Sequence, residues 1–594
     1  MTNRRRRRVV VAGLLAPAAL VVAGGWSAHL GLRVRDHLDA TRAALVQLRA
    51  AVAAGDLSPV SPVLAEARRH AAEARRLTEG PDWWVLAHTP VVGDAATTVR
   101  GLAWAAAELT EAFSGVQRAG TPLMTISTPS LVDMGRQLAA LDAAAPALDE
   151  AATRLRRADS RLAATPAVTG VRQVDEARGT ALAEIGRLRD LVRDAADTAA
   201  LLPPMLGRDG PRRYFLAFQT NAEARGTGGL VGAFGILKAD RGRISIERLS
   251  VNNGLTNSPV PVVDHGTAYR ERYGASATRM LSISNLSPHF PYAAATWTRL
   301  WERQHGRRLD GALATDPVGL AHLLKIIGPV TLPGGEKVTP ANVVDLTERE
   351  AYARYTDPAA RKRFLLRVAG AVAEALPASF TDPARLLPAL GHMVGERRIQ
   401  VWSRHGAEQR RLARTPAAGV LPQRPGPFAA LVVNNSAGGK LDYYLERSVD
   451  YRLGPCRDGR RTTNVRIRLT NAVPRGDLPS YVTGRLDSPK RPHVPGSNLL
   501  WVSLYGGMGA TLTEARLDGK PVPVMRETER SRPVYSALLE FAPRQSRTLE
   551  LDLVEPASAQ PPLVPVQPLV RPQRTRITED RGGCPVPVRP AGVP

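Results

Sequence analysis

YFLAFQTNAEARGTGGLVGAFGILKADRGRISIERLSV, residues 214–251, is the stretch whose reading decides the fold. YFLAFQ (214–219) and VGAFGILKA (231–239) are apolar runs of strand length, and RISIERLSV (243–251) alternates strictly after the turn Asp240-Arg241-Gly242. Apolar runs and period-two alternation bounded by turn residues read as β-strands, so a sheet begins here. Between the first two strands lies a glycine-rich loop containing Asn221, Glu223, Arg225, Gly228 and Gly229. Either the glycines make an irregular turn between paired strands, or the backbone approaches a ligand there and Arg225 reaches an anionic group. A nucleotide-binding loop is excluded on spacing, because Val231 stands where the last glycine of Gly226-x-Gly228-x-x-Gly would fall. A strand follows, not a helix whose N-terminus could hold a phosphate.

Downstream, LDGALAT (309–315) precedes an apolar helix from Pro317 to Ile327, which Gly328-Pro329 ends before another short strand. Thr339-Pro340, Asp357-Pro358 and Asp382-Pro383 each place a capping side chain before a proline suited to the first helical position. With the strand RRIQVW (397–402), residues 205–414 form a central α/β domain. A Pro-rich linker follows at 415–427. From 428 to 555 short alternating strands such as TNVRIRLTN and RTLELDLVE predict an antiparallel β-sandwich, and 556–594 reads as an extended Pro- and Arg-rich tail.

Upstream, residues 33–204 carry apolar residues at helical spacing, broken at Gly80-Pro81, Pro90, Gly120 and Pro166, which predicts a bundle or stalk of four or five helices. Residues 1–8 include the run Arg4 to Arg8, and 9–32 form a mainly apolar run in which His29 is the only ionisable residue. Twenty-four helical residues span about 36 Å, enough for a hydrocarbon core of about 30 Å. This predicts a single transmembrane helix with a cytoplasmic stub and the bulk of the chain outside. A cleaved secretion signal with Ala23-Gly24-Gly25 at the cleavage site is the rival, but the apolar run continues past it to Leu32. The fold class is thus multidomain: membrane helix, helical bundle, α/β domain and sandwich.

The formal charge of +25 over 594 residues favours polyanionic partners, namely nucleic acid, anionic lipid or an acidic wall polymer. Aromatics are only 5% and are not interleaved with the basic residues, which argues against nucleic acid. Cys456 and Cys584 lack Cys-x-x-Cys spacing, so no metal site is predicted from them. Outside the cytoplasm they can close one disulfide that ties the tail to its domain; the alternative is two separate thiols. No Gly-x-Ser-x-Gly elbow and no His-Glu-x-x-His occurs, so catalytic residues remain unassigned and no cofactor is expected. Asp310 and Asp316 flank a strand as a carboxylate pair, yet Asp316-Pro317 also has the form of a helix cap and Asp310-Gly311 of a turn. Arg354, Arg361 and Arg363 cluster around the helix begun by Asp357. They are either a solvated basic face or, converging with Arg225, a phosphate site suited to guanidinium forks.

YFLAFQTNAEARGTGGLVGAFGILKADRGRI, LDGALATDPVGLAHLLKIIGPVTLPG, IQVWSRHGAEQ and VVNNSAGGKLDYYLERSV together resemble the bacterial family called domain of unknown function 4012, over roughly residues 80–555. The resemblance implies an anchored extracytoplasmic protein and assigns no activity. DGALATDPVGLAHLLKIIGPVTLP and EAYARYTDPAARKRF are more distantly similar to LytR-CpsA-Psr proteins, which transfer glycopolymers from polyprenyl pyrophosphate carriers to the cell wall. That similarity places Arg225, Arg361 and Arg363 near pyrophosphate-binding positions. Arg-Ser-Asp-Thr of those proteins is Arg225-Gly226-Thr227 here, without the metal-binding aspartate. Two expectations follow: a non-catalytic envelope protein that binds an anionic glycopolymer or lipid phosphate and docks a protein partner, or a phosphotransferase with an altered site.

Overall fold

The computed structural model describes residues 29–48, 50, 60–124, 134–379, 383–475, 478–488 and 492–584, without the side chains of 121–124, 376–379 and 383–387. The stub 1–8 and residues 9–28 of the expected membrane span lie outside them, and among the described residues no helix is long and apolar enough to cross a membrane.

The chain divides into two compact units. The first is helical, with α1 (29–48), α2 (Val60–Glu79), α3 (Pro81–Ala87), α4 (Gly93–Met124), α5 (Met134–Ala163) and α6 (Arg172–Met205). That is one helix more than the upper count expected, because the short α3 fits between Gly80 and Pro90 with Pro81 in its first turn. Alanine dominates its packing surfaces, as where Ala105 and Ala158 meet Leu162 and Ile185. Small side chains at such contacts let helix axes approach closely.

The second unit begins with β1 (Arg212–Arg225), β2 (Gly228–Asp240) and β3 (Arg243–Val251), followed by α7 (Thr267–Tyr273), α8 (Phe290–His305), β4 (Gly311–Thr315) and α9 (Pro317–Ile327). A hairpin of β5 (Val330–Thr331) and β6 (Lys337–Val338) leads to α10 (Val343–Asp345), a π-helical turn (Leu346–Glu350) and α11 (Ala351–Arg354). Next come α12 (Pro358–Ser379), α13 (Pro383–Gly395), β7 (Ile399–Ser403) and α14 (Gly406–Leu412). The mixed sheet has the order β3-β2-β1-β4-β7, with β1 and β4 parallel and the other pairs antiparallel. Phe215, Phe234 and Ala312 on one face of the sheet pack on Phe290, Trp297 and Trp301 of α8. On the other face Gly370 of α12 lies against Leu249. Local chemistry sets the helix starts: Asp316 Oδ1 accepts from Gly319 N at 2.8 Å, and Asp357 accepts from the amides of Ala359 and Ala360. At Thr339-Pro340 no helix begins directly. The Thr339 hydroxyl accepts from Asn342 N at 3.2 Å, and α10 starts one residue later.

Ten strands build two facing sheets: β8 (Ala430–Asn435), β9 (Leu445–Arg457), β10 (Arg460–Asn471), β11 (Asn498–Tyr505), β12 (Thr511–Leu517), β13 (Lys520–Pro521), β14 (Met525–Glu529), β15 (Arg532–Phe541), β16 (Ser546–Pro556) and β17 (Gln573–Glu579), with the short α15 (Ser480–Thr483) between β10 and β11. One sheet has the order β13-β12-β16-β10-β9-β17 and the other β14-β15-β11-β8. Val449, Tyr451, Val465, Ile467 and Leu551 of the first interdigitate with Leu431, Val433, Leu500, Val502 and Phe541 of the second.

Residues 415–427, read as a linker, pack closely: Leu421 is buried, and Arg532 donates to the carbonyls of Pro422 and Arg424. The tail likewise joins the sandwich. β17 pairs in parallel with β9, and the Cys456–Cys584 disulfide closes behind it with Cα atoms 4.7 Å apart. Its alternation is masked in sequence by the prolines around it.

Candidate functional site

The Arg225 loop resolves into a bulged hairpin. Thr220 pairs with Leu230 and Ala224 with Gly229, so Asn221, Ala222 and Glu223 are extra residues in β1. A bulge of this kind strips amides of their ladder partners. Buried carboxylates from elsewhere collect them: Glu348 accepts from Asn221 N at 3.2 Å and Ala222 N at 2.7 Å, and Asp442 accepts from Ala224 N at 2.8 Å. Glycine is required because a Cβ on Gly229 would lie 2.0 Å from Thr220 O, and one on Gly226 would lie 2.1 Å from Leu286 O. Gly228 (φ 140°) fits the turn itself. These glycines serve the turn between paired strands.

Arg225 is buried, and each of its side-chain nitrogens is engaged within the chain. Nε donates to Ser282 O at 3.2 Å, Nη1 to Ala224 O at 2.9 Å and Asn435 O at 3.3 Å, and Nη2 to Glu223 Oε1 at 2.7 Å. Lys440 donates to the other Glu223 oxygen. Burial pushes the Glu223 carboxyl up, but the Lys440 and Arg225 charges outweigh it and hold its pKa below the usual value. The tail completes the joint. The Gln567 side-chain amide donates to Arg225 O at 2.7 Å and to Val433 O at 2.8 Å, and its oxygen accepts from Val433 N at 2.9 Å, as a neighbouring strand would.

Of the other arginines, Arg361 is buried beside this cluster, 3.7 Å over the Tyr481 ring, which Lys440 also approaches at 5.6 Å. Arg354 is exposed and pairs with Glu336 and Glu350, and Arg363 is exposed 3.9 Å from Asp357. The four arginines therefore do not form one open phosphate site: two are internal, and two stay on the surface with their own carboxylates. Asp316 caps α9 and pairs with Arg398 at 2.7 Å, while Asp310 accepts from Arg213 N at 2.8 Å and faces His405 at 3.0 Å. Both carboxylates have structural partners.

A second buried joint was not legible in the sequence. Arg272 of α7 reaches the four-stranded sheet, with Nη2 2.8 Å from Ser503 Oγ, Nη1 on Glu527, and the guanidinium 4.5 Å over Trp501. Beside it, the hydroxyls of Tyr273 and Tyr505 donate to Glu529 at 2.7 and 2.6 Å. The α/β domain and the sandwich are thus locked by desolvated polar contacts. The partners of Arg272 and Tyr273 in the sandwich, Ser503, Glu527 and Glu529, lie more than 200 residues from them in sequence.

The open basic surface is the outer face of the six-stranded sheet. Alternation along β9 and β10 turns Glu446, Ser448, Asp450, Arg452, Arg466 and Arg468 outward, where Glu446 pairs with Arg571, and the pairing of β17 with β9 places the exposed Arg574 and Arg576 on the same face. Register places Ser448 opposite both Arg574 and Arg468, and Asp450 opposite both Arg576 and Arg466. The second row is internally compensated, since Arg466 lies 2.9 Å from Glu550 and Arg576 lies 3.8 Å from Asp450. Arg468 and Arg574, together with Arg452 farther along β9, are exposed and have no carboxylate partner among the described residues. Strands about 4.8 Å apart set Arg468 and Arg574 about 10 Å from each other.

Residues 209–352 match the model of a family described as "Protein of unknown function (DUF4012)", which agrees with the resemblance read over the wider stretch. No curated protein and no solved structure matches the chain.

Proposed function

We propose that this is a membrane-anchored extracytoplasmic protein of the cell envelope that binds a phosphate-bearing anionic polymer or lipid headgroup without catalysis, on the outer face of the six-stranded sheet. The observation that carries the reading is the set of exposed guanidinium groups of Arg452, Arg468 and Arg574, which have no carboxylate partner among the described residues. Guanidinium forks match phosphate oxygens, and arginines held on adjacent strands lose little freedom on binding. The Cys456–Cys584 disulfide supports an oxidising compartment. The run Arg4 to Arg8 before the apolar residues 9–32 supports a cytoplasmic N-terminus. Glycopolymer transfer, the alternative, needs an open phosphate site, and the interactions already made by Arg225 speak against one at its loop.

The test is retention of the full-length chain in detergent micelles on immobilised polyglycerol phosphate, with a neutral glucan as comparison. Vesicles of phosphatidylglycerol or phosphatidylcholine form a second arm that separates polymer from lipid. Binding to the phosphate-bearing probes that weakens with salt is expected. Equal retention on the neutral glucan would overturn the reading.

A further inference from the structure

His392 and Glu396 stand four residues apart across the C-terminal turn of α13, where Glu396 N bonds to His392 O at 3.0 Å, so both side chains leave the same face. His322, on α9, meets them there. His322 Nε2 lies 3.1 Å from Glu396 Oε2 and His392 Nε2 lies 3.2 Å from Glu396 Oε1, and the two imidazoles meet edge to face with centroids 4.8 Å apart. One donor atom from each of the three residues falls within 4.8 Å of the other two.

We propose that His322, His392 and Glu396 form a binding site for a divalent metal ion of the zinc class. Two imidazoles and one carboxylate are the donor set preferred by zinc, nickel and copper over magnesium or calcium, which take oxygen ligands. The distances are within reach of a metal: His322 Nε2 and His392 Nε2 lie 3.1 and 3.2 Å from different oxygens of Glu396, and one donor atom from each residue lies within 4.8 Å of the other two, so the set closes to the about 3.4 Å that metal–ligand bonds of about 2.0–2.1 Å at tetrahedral angles require by shifts of at most about 1.4 Å. The electrostatics also fit. Arg398 Nε lies 3.5 Å from Glu396, but Asp316 pairs with the same guanidinium at 2.7 Å, so that charge is shared between two carboxylates. His322 is largely buried, whereas His392 and Glu396 are exposed, which leaves further coordination positions facing solvent. A bound ion would join α9 to the turn between α13 and β7. The competing account is a hydrogen-bonded His-Glu-His ladder that holds no ion.

The experiment uses the full-length chain, stripped with chelator and titrated with cobalt(II), whose visible d–d bands report tetrahedral nitrogen and oxygen ligation, and then with zinc(II) in competition. One equivalent is expected, with zinc displacing cobalt and raising the melting temperature. His392→Ala and Glu396→Gln, both at exposed positions, should weaken binding by at least about tenfold, because even outer-shell changes at metal sites cost about 10- to 100-fold. The His37–His70 contact in the helical unit is the internal control, with ring nitrogens 2.9 Å apart. If the cobalt spectrum survives His392→Ala and Glu396→Gln, or is lost in His70→Ala alone, the proposal fails.

Discussion

Arg225 Nη2 and Glu223 Oε1 lie 2.7 Å apart, two residues from each other on the bulged end of β1, both buried. In a regular strand residues i and i+2 share a face, and here the bulge swings that face toward the sandwich, where Lys440 closes on the same carboxylate. The arginine in best position to receive a phosphate is thus used to join two domains.

Glu223→Gln tests that assignment. The substitution leaves Arg225 and Lys440 buried with no counter-charge, and breaking a buried pair from one side costs about 3–5 kcal/mol. Urea denaturation should show a loss of that size, with binding to polyglycerol phosphate unchanged in the fraction that stays folded. A stable variant with altered binding would put Arg225 back into a ligand site.

Glu348 predicts a pH dependence. Burial raises its pKa to about 7 from 4.5, against the opposing pull of the Thr220 hydroxyl and the Ala222 and Asn221 amides. Between those values the folded chain keeps a proton that the unfolded chain releases. Its contribution is therefore full below pH 4.5 and is lost as pH rises through about 7. A shift of this size corresponds to about 3 kcal/mol. Glu555, raised to about 7 mainly by burial, acts with the same sign. Glu348→Gln stays neutral throughout, so the stability difference between pH 4.5 and pH 8 should shrink by about 3 kcal/mol relative to the parent. An unchanged difference would mean that Glu348 is ionised in the fold.

The disulfide should act on β17. It closes a loop of 128 residues, and removing such a link typically costs about 2–5 kcal/mol. In Cys584→Ser, amide exchange should accelerate first in Gln573–Glu579, because only non-covalent ties then hold that end: Arg461 to Glu579 and the Asp580 carbonyl, Asp580 N to Leu453 O and Cys456 N to Gly582 O. Unaltered exchange in β17 would show that the parallel ladder with β9 suffices without the disulfide.

What could be read in advance was local. β3 and α9 have the limits read from sequence, since strict alternation marks the first and Asp316-Pro317 with Gly328 brackets the second. The Arg225 loop stood out for its glycines, but its meaning depended on Glu348, Lys440 and Gln567, which lie 126 to 342 residues away from the groups they hold. β17 was hidden because its partner β9 is more than 100 residues earlier and the pairing is parallel, with no hairpin turn to announce it. His392 and Glu396 could have been paired by their spacing, but only the fold brings His322 to them.

The arginine face carries the functional reading, and its variants separate a site from diffuse charge. Arg452, Arg468 and Arg574 are exposed and without carboxylate partners among the described residues, so changing all three to glutamine should alter folding stability by no more than about 0.5 kcal/mol per site. Each arginine near a strongly anionic surface contributes about 1 kcal/mol at modest salt, so the triple variant should bind polyglycerol phosphate or phosphatidylglycerol about a hundredfold more weakly. The matched control removes the same charge elsewhere, as Arg69→Gln, Arg156→Gln and Arg157→Gln on exposed helical positions. Arg466→Gln is the finer control, because its charge is already compensated by Glu550 at 2.9 Å and its loss should cost little. If the helical triple weakens binding as much as the sheet triple, long-range attraction by the net charge of +25 is sufficient. If only the sheet triple does so, and the effect fades as salt shortens the screening length, the polymer or lipid is held by the geometry that β9, β10 and β17 impose on those three guanidinium groups.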